Sequence, residues 1–127
     1  MPSDKPNLLL IQADQLKPQV LNTYGGPTDT PHLDSLADEG VVFENAYCNF
    51  PLCAPSRFSM LAGMLPSRIG AYDNGAEYLA QIPTMAHYLR LAGYHTCLSG
   101  KQNFVGPDML HGFHERLVPE LYPTDFS

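Results

Sequence analysis

The residues Asn7-Leu8-Leu9-Leu10-Ile11-Gln12-Ala13 run without a charge, a glycine or a proline. An uninterrupted apolar stretch of this kind predicts a strand buried on both faces of a sheet. Such a strand needs neighbouring strands beside it and helices above and below. Tyr94-His95-Thr96-Cys97-Leu98-Ser99 reads as a second core strand, and Val41-Val42-Phe43 as the start of a short one. Helical patterns lie between them. Thr30-Pro31 opens one helix, with a hydroxyl at the N-cap and proline in the first turn; Leu33, Leu36 and Ala37 face its core side, and Gly40 ends it. Pro83-Thr84 opens another, with Met85, Tyr88, Leu89 and Ala92 at helical spacing and Gly93 as its stop. This alternation predicts an α/β fold with a mostly parallel sheet flanked by helices.

In open parallel sheets, ligands bind outside the carboxyl ends of the strands. Asp14 follows the first strand, where a carboxylate reads equally as a cation ligand or as a turn or capping aspartate. Gly100-Lys101 closes the second core strand. Between them, Ser56 to Leu65 carries apolar residues at Phe58, Leu61, Ala62 and Leu65, which is helical spacing, with Pro55 in the first turn. Cys53 then falls just before a helix N-terminus, where free N–H groups and the positive dipole end favour negative charge. Arg57, one turn on, adds a planar cation able to grip an oxyanion in two places. A lone cysteine there reads as a buried structural thiol; a cysteine with the helix end and the arginine reads as a nucleophile in an anion-binding site.

The chain has 127 residues, one domain's worth. Its formal net charge of −6 argues against nucleic acid and against an anionic membrane as partners. Cys48, Cys53 and Cys97 show no paired C-x-x-C spacing and so no zinc signature. The apolar core of the first strand, Leu8 to Ile11, is too short for a membrane span or a signal segment, so the expected location is cytoplasmic. Residues 17–29, 69–81 and 104–127 are punctuated by glycine and proline and read as loops or irregular chain.

Cys53-Ala54-Pro55-Ser56-Arg57 resembles the sulfatase signature cysteine-x-proline-serine-arginine. The resemblance extends to Pro6-Asn7-Leu8-Leu9-Leu10-Ile11 with Asp14-Gln15, to residues 30–37, to Phe43-Glu44-Asn45-Ala46-Tyr47, and to residues 83–94 with Gly100-Lys101. Residues 72–78 and 104–113 resemble the choline-sulfatase branch of that family. What this implies is an alkaline-phosphatase/sulfatase-like α/β fold, with residues 1–127 as the N-terminal segment of a catalytic domain. The implied reaction is hydrolysis of a small alkyl sulfate ester such as choline-O-sulfate. Cys53 would be converted to formylglycine by a formylglycine-generating enzyme and would attack sulfur. Asp14 and the modified Cys53 would hold a divalent cation, Ca²⁺ first, with Mg²⁺ or Mn²⁺ as alternatives. Arg57 would support the modified residue, and Lys101 would neutralise sulfate oxygens. Asn74 would hydrogen-bond the sulfate or simply serve its turn. Tyr72, Tyr78 and Phe104 are available to face a quaternary ammonium.

Two departures and the chain's length qualify the resemblance, the lighter departure being Ala13 before Asp14 where many sulfatases carry tandem aspartates. Where the family carries glycine-lysine-x-histidine, this chain has Gly100-Lys101-Gln102-Asn103. Asn103 occupies a catalytic position but cannot shuttle a proton, which leaves His95, His111 and His114 as stand-ins. Sulfatases also run to several hundred residues, and Asp14 with one modified side chain cannot fill a Ca²⁺ shell of about 6 to 8 oxygens. The expectation is therefore an N-terminal piece without turnover of its own. Its open sheet edge would invite the remaining sulfatase chain or self-association. The alternatives are a phosphonate or phosphate ester hydrolase of the same superfamily, and a non-catalytic, truncated anion-binding protein.

Overall fold

The computed structural model describes residues 5–120 and divides the chain into two compact units, residues 1–46 and 47–127. In the first unit, two tight 3₁₀ turns, Pro18–Val20 and Asn22–Tyr24, lead to helix α1, Pro31–Glu39. The helix forms where the sequence predicts, with Pro31 in its first turn and Gly40 after its last residue. Thr30 does not cap it with its side chain. Its hydroxyl donates instead to Asp34 Oδ1 at 3.1 Å and accepts the Asn22 N–H at 3.3 Å. Asn22 Nδ2 reaches the other oxygen of the same carboxylate at 2.9 Å. Polar groups thus tie the turns to the helix, and none of the described residues of this unit is buried.

The expected first strand is the main correction. Residues 7–13 form no ladder, and Leu9 and Ile11 are 85% and 79% exposed. The segment Val41-Val42-Phe43 is likewise unpaired as a strand, with Val41 and Phe43 exposed. A parallel strand gains its hydrogen bonds only from a neighbouring backbone. Among the described residues of this unit, the only bridge is Leu21 to Thr28.

The second unit is built on a core. Helix α2, Cys53–Ala62, starts earlier than predicted, with Leu52 as N-cap and Cys53 inside the first turn rather than before it. Pro55 is tolerated at its third position, because the first four N–H groups of a helix have no intrahelical acceptor to reach. The helix stops at Gly63, not at Leu65. Gly63 takes φ 65°, the left-handed region that suits glycine, and its N–H returns to Ser59 O at 2.9 Å. The short helix α3, Pro66–Ile69, follows, and then α4, Met85–Leu91. Thr84, at the N-cap of α4, donates its N–H to His87 Nδ1 at 3.0 Å and its hydroxyl to His111 O at 2.6 Å.

The second predicted strand contracts to β1, Cys97–Leu98, paired in parallel with β2, Glu115–Arg116. This is the only sheet among the described residues. Its parallel sense and its company of helices match the expected class; its breadth does not. No helix among the described residues is long and apolar enough to cross a membrane.

The core joins α2 to the segments that follow it. Phe58, Tyr78 and Phe104 are each at most 1% exposed, and their rings meet Phe58 to Tyr78 at 5.0 Å and Phe58 to Phe104 at 6.1 Å. The His111 ring closes the cluster against Phe104 at 4.3 Å and Tyr78 at 4.8 Å. Tyr78 and Phe104 are therefore spent on packing and do not present open faces to a quaternary ammonium; Tyr72 is exposed. Burial pushes the Tyr78 hydroxyl, aided by nearby Tyr88, up to about 12. Replacing Phe58 by alanine would remove the ring that both others contact, and we expect a loss of about 3–5 kcal/mol in chemical denaturation of the second unit.

Candidate active site

Helix α2 begins with an unusual cap. Leu52 offers no side-chain acceptor, so the orphan N–H groups of the first turn need partners from elsewhere. Asn74 Oδ1 supplies one, accepting the Ala54 N–H at 3.0 Å across 20 residues of chain. This is a further role for Asn74, beside the turn and sulfate-binding roles its place in the sequence suggests. Its carboxamide oxygen is committed to the helix, one residue from Cys53, with the NH₂ half left as the donor. The Cys53 thiol is half-buried and forms no disulfide, so the buried structural cysteine is not what the fold contains.

Lys101 is brought to it from 48 residues away. Its Nζ donates to Cys53 Sγ at 3.5 Å. The same residue is held by its backbone, since Arg57 donates one guanidinium N–H to the Lys101 carbonyl at 2.7 Å. Arg57 is only 6% exposed. Helical geometry explains the pairing: Cys53 and Arg57 are four apart and share a face of α2, while Phe58, next along, turns into the core. Cys53, Arg57, Lys101 and Asn74 are thus assembled as one group. A helix N-terminus and an ammonium meet at one side chain, with a guanidinium one turn along the helix, and groups of these kinds favour an anion.

Asn103 lies two residues from Lys101 and is 3% exposed. It adopts φ 63°, in the left-handed region that asparagine visits more readily than most residues. Its Oδ1 and the Oε1 of Gln102 are buried without a hydrogen-bond partner. The histidines proposed as stand-ins have other duties. His95 Nε2 pairs with Glu115 Oε1 at 2.7 Å and its ring stacks on His114 at 4.8 Å. The Thr96 N–H donates to His114 Nδ1 at 3.1 Å. His111 is 1% exposed. Burial holds its pKa below the ordinary histidine value despite the carboxylate of Asp108, with Nδ1 and Asp108 Oδ2 3.4 Å apart.

Asp14 belongs to the first unit, where it sits exposed in a turn beside Gln15, itself at φ 59°. Among the described residues, no three His, Cys, Asp or Glu side chains gather as a metal site.

Two residues that hold the lysine loop escaped the sequence. Glu120 and Arg116 form an ion pair at 2.7 Å, with side chains only 3% and 8% exposed. The Glu120 carboxylate also accepts the N–H groups of Gln102, at 3.1 Å, and Phe104, at 3.2 Å. Arg116 donates further to Gly100 O at 3.0 Å and to Met109 O at 3.4 Å. The pair therefore brackets the segment that carries Lys101 and Asn103. The available signal was an opposite charge pair four residues apart, but it lies in proline-broken chain where no helix licensed it. Burial pushes the Glu120 carboxyl up, and the hydrogen bonds from Arg116 and the loop N–H groups outweigh this and hold it below the ordinary value. A lowered folded pKa gives stability that is complete above the unfolded value of about 4.3 and is lost as pH falls through the folded one. Urea midpoints followed downward from pH 6 should fall in that acid window, and Glu120→Gln should flatten the fall.

The sulfatase family model matches residues 6–114. The chain is 54% identical over 130 residues to a choline-sulfatase of Rhizobium meliloti (strain 1021), covering 100% of this chain and 25% of the relative. It is 38% identical over 121 residues to an arylsulfatase of Clostridium perfringens (strain 13 / Type A), covering 93% of this chain and 25% of that one. A solved structure of BT4656 in complex with its substrate D-glucosamine-2-N,6-O-disulfate superposes with a TM-score of 0.72 at 32% identity, over 77% of this chain and 20% of the other. The chain spans about a quarter of the length of the curated relatives it matches.

Proposed function

Since this chain belongs to the sulfatase family, we propose that it is the N-terminal segment of a sulfuric ester hydrolase, carrying the nucleophile and part of the sulfate-binding site. The observation that carries the reading is the convergence on Cys53: first turn of α2, Lys101 Nζ at 3.5 Å, and Arg57 tied to the Lys101 carbonyl at 2.7 Å. The likeness to a choline-sulfatase over the whole chain supports choline-O-sulfate or a similar small alkyl sulfate as the substrate. A formylglycine made from Cys53 would supply an oxygen nucleophile toward sulfur, and an oxygen there can accept the Lys101 hydrogen bond that sulfur accepts now.

The residues of this chain divide the remaining work. Lys101 neutralises charge on the sulfate oxygens, which grows as the ester bond breaks. The N-terminal N–H groups of α2 and the positive end of its dipole act on the same charge. Arg57 fixes the loop that carries Lys101 and keeps a permanent cation beneath the site. Asn74 holds the first turn of α2 in register by taking the Ala54 N–H. The cation that the family uses would take oxygen ligands from Asp14 and from the modified Cys53, which together fall short of a shell of about 6 to 8 oxygens.

Asn103 favours a second reading, anion binding without turnover. It is buried at the lysine loop and cannot exchange a proton at neutral pH. The two are separated in full-length protein produced with a formylglycine-generating enzyme. The peptide containing Cys53 should show the mass loss of thiol to aldehyde, and Lys101→Ala should lower release of sulfate from alkyl sulfates by about 100-fold or more. A Cys53 that remains a thiol, or faster turnover of phosphonate monoesters than of sulfate monoesters, would refute the sulfatase reading. Asn103→His should raise turnover by about 100-fold if a proton relay is what is missing; unchanged hydrolysis with sulfate binding intact would favour the binding protein.

A further inference from the structure

Lys101 reaches Cys53 from a loop with no regular secondary structure, spanning residues 99–104 between β1 and the core residue Phe104. A loop of this kind holds a long side chain in place only if its backbone is fixed. Two anchors are visible. From the helix side, Arg57 holds the Lys101 carbonyl at 2.7 Å. From the opposite side, the Glu120 carboxylate gathers the N–H groups of Gln102 and Phe104, and the Asn103 N–H contributes to the same oxygens. These three consecutive N–H groups converge because Asn103 turns into the left-handed region at φ 63°, the backbone arrangement that makes an anion-binding nest. Arg116 holds the carboxylate at 2.7 Å and also binds Gly100 O, immediately before Lys101. Lys101 is thus bracketed in sequence, Gly100 on one side and Gln102 to Phe104 on the other, by one buried ion pair.

We propose that Glu120, held by Arg116, is a positioning residue: its carboxylate sets the backbone of residues 102–104 and thereby aims the Lys101 ammonium at the side chain of Cys53. Its catalytic consequence rests on the sulfatase reading; its geometry does not. A carboxylate inside a sulfate site would repel the substrate. Here its charge is taken up by Arg116 and by backbone N–H groups. The nest is filled by an internal anion, so the loop adopts its working shape before any sulfate arrives.

The test uses the unmodified thiol of the full chain and needs no turnover. Cys53, Cys48 and Cys97 are alkylated with iodoacetate, an anion, and with iodoacetamide, its neutral counterpart, and each site is quantified by peptide mass spectrometry. The ratio of the two rates cancels the thiol's own ionisation and reports the cation beside it, with exposed Cys48 and Cys97 as references in the same molecule. Cys53 should show the higher anionic preference. Lys101→Met should lower it roughly fivefold, the effect of one unit charge at about 4 Å in a solvated site. Glu120→Gln should lower it to the same level, and combining it with Lys101→Met should add nothing. If Glu120→Gln alone unfolds the chain, as circular dichroism will show, Arg116→Met/Glu120→Gln removes both charges of the pair and decides in its place. A folded Glu120 variant that keeps the wild-type ratio overturns the proposal, as does a Lys101→Met chain that keeps it. Failure of the sulfatase reading shows separately, as absent formylglycine or absent sulfate release, while the alkylation ratio still reports on Glu120.

Discussion

Phe58 and Phe104 lie 6.1 Å apart in the aromatic cluster of the second unit, and the chemistry hangs one residue away from each. Arg57 precedes Phe58 on α2; Asn103 precedes Phe104, and Lys101 stands two residues before that. Burying two large rings is worth several kcal/mol. That apolar gain lets the molecule hold a guanidinium, a carboxylate and a strained asparagine out of water nearby. The ring contact brings the segment that carries position 101 against the helix that carries position 53. The core supplies the distance, and the polar groups supply only the direction.

The polar arrangement around the lysine loop is demanding. A non-glycine residue in the left-handed region costs about 1–3 kcal/mol unless its surroundings fix it, and a buried ion pair regains its desolvation only with good geometry and further hydrogen bonds. Here each defect supports the other. The left-handed turn at Asn103 presents consecutive N–H groups, the Glu120 carboxylate needs donor partners of that kind, and Arg116 has the carbonyls of Gly100 and Met109 within reach. The net gain is one shape for the loop rather than a large increment of stability.

Local signals carried much of this fold and tertiary ones did not. Helices α1 and α4 were legible because proline, threonine and glycine mark their ends and apolar residues recur at helical spacing. Cys53, Arg57 and Lys101 were legible because a nucleophile, a helix start and a strand end each have a short-range signature, and the structure does bring the three together. The start of α2 was misplaced by three residues, since Pro55 is acceptable anywhere in a first turn. Asn74 as a helix cap could not be read, because its partner is 20 residues away. Glu120 and Arg116 were missed for the same reason: their meaning lies in backbone N–H and carbonyl groups, which every residue has and no sequence pattern announces. The run at residues 7–13 shows the opposite failure. Its composition states clearly what environment it wants, but composition cannot provide the neighbouring backbone.

That run has a consequence for the life of the chain before assembly. Seven residues without charge, proline or glycine, four of them large aliphatics open to solvent, form an exposed apolar stretch of the kind that associates with copies of itself. The protection available is long-range: a net charge of −6 on a small protein repels other copies at low ionic strength and is screened over about 8 Å in physiological salt. Two rates then compete during synthesis: folding, which is first order within a chain, and pairing between chains, which grows with the square of concentration. Yield of the folded protein is set by that race, and slow synthesis in dilute, low-salt conditions or a chaperone that covers short apolar segments tilts it toward folding.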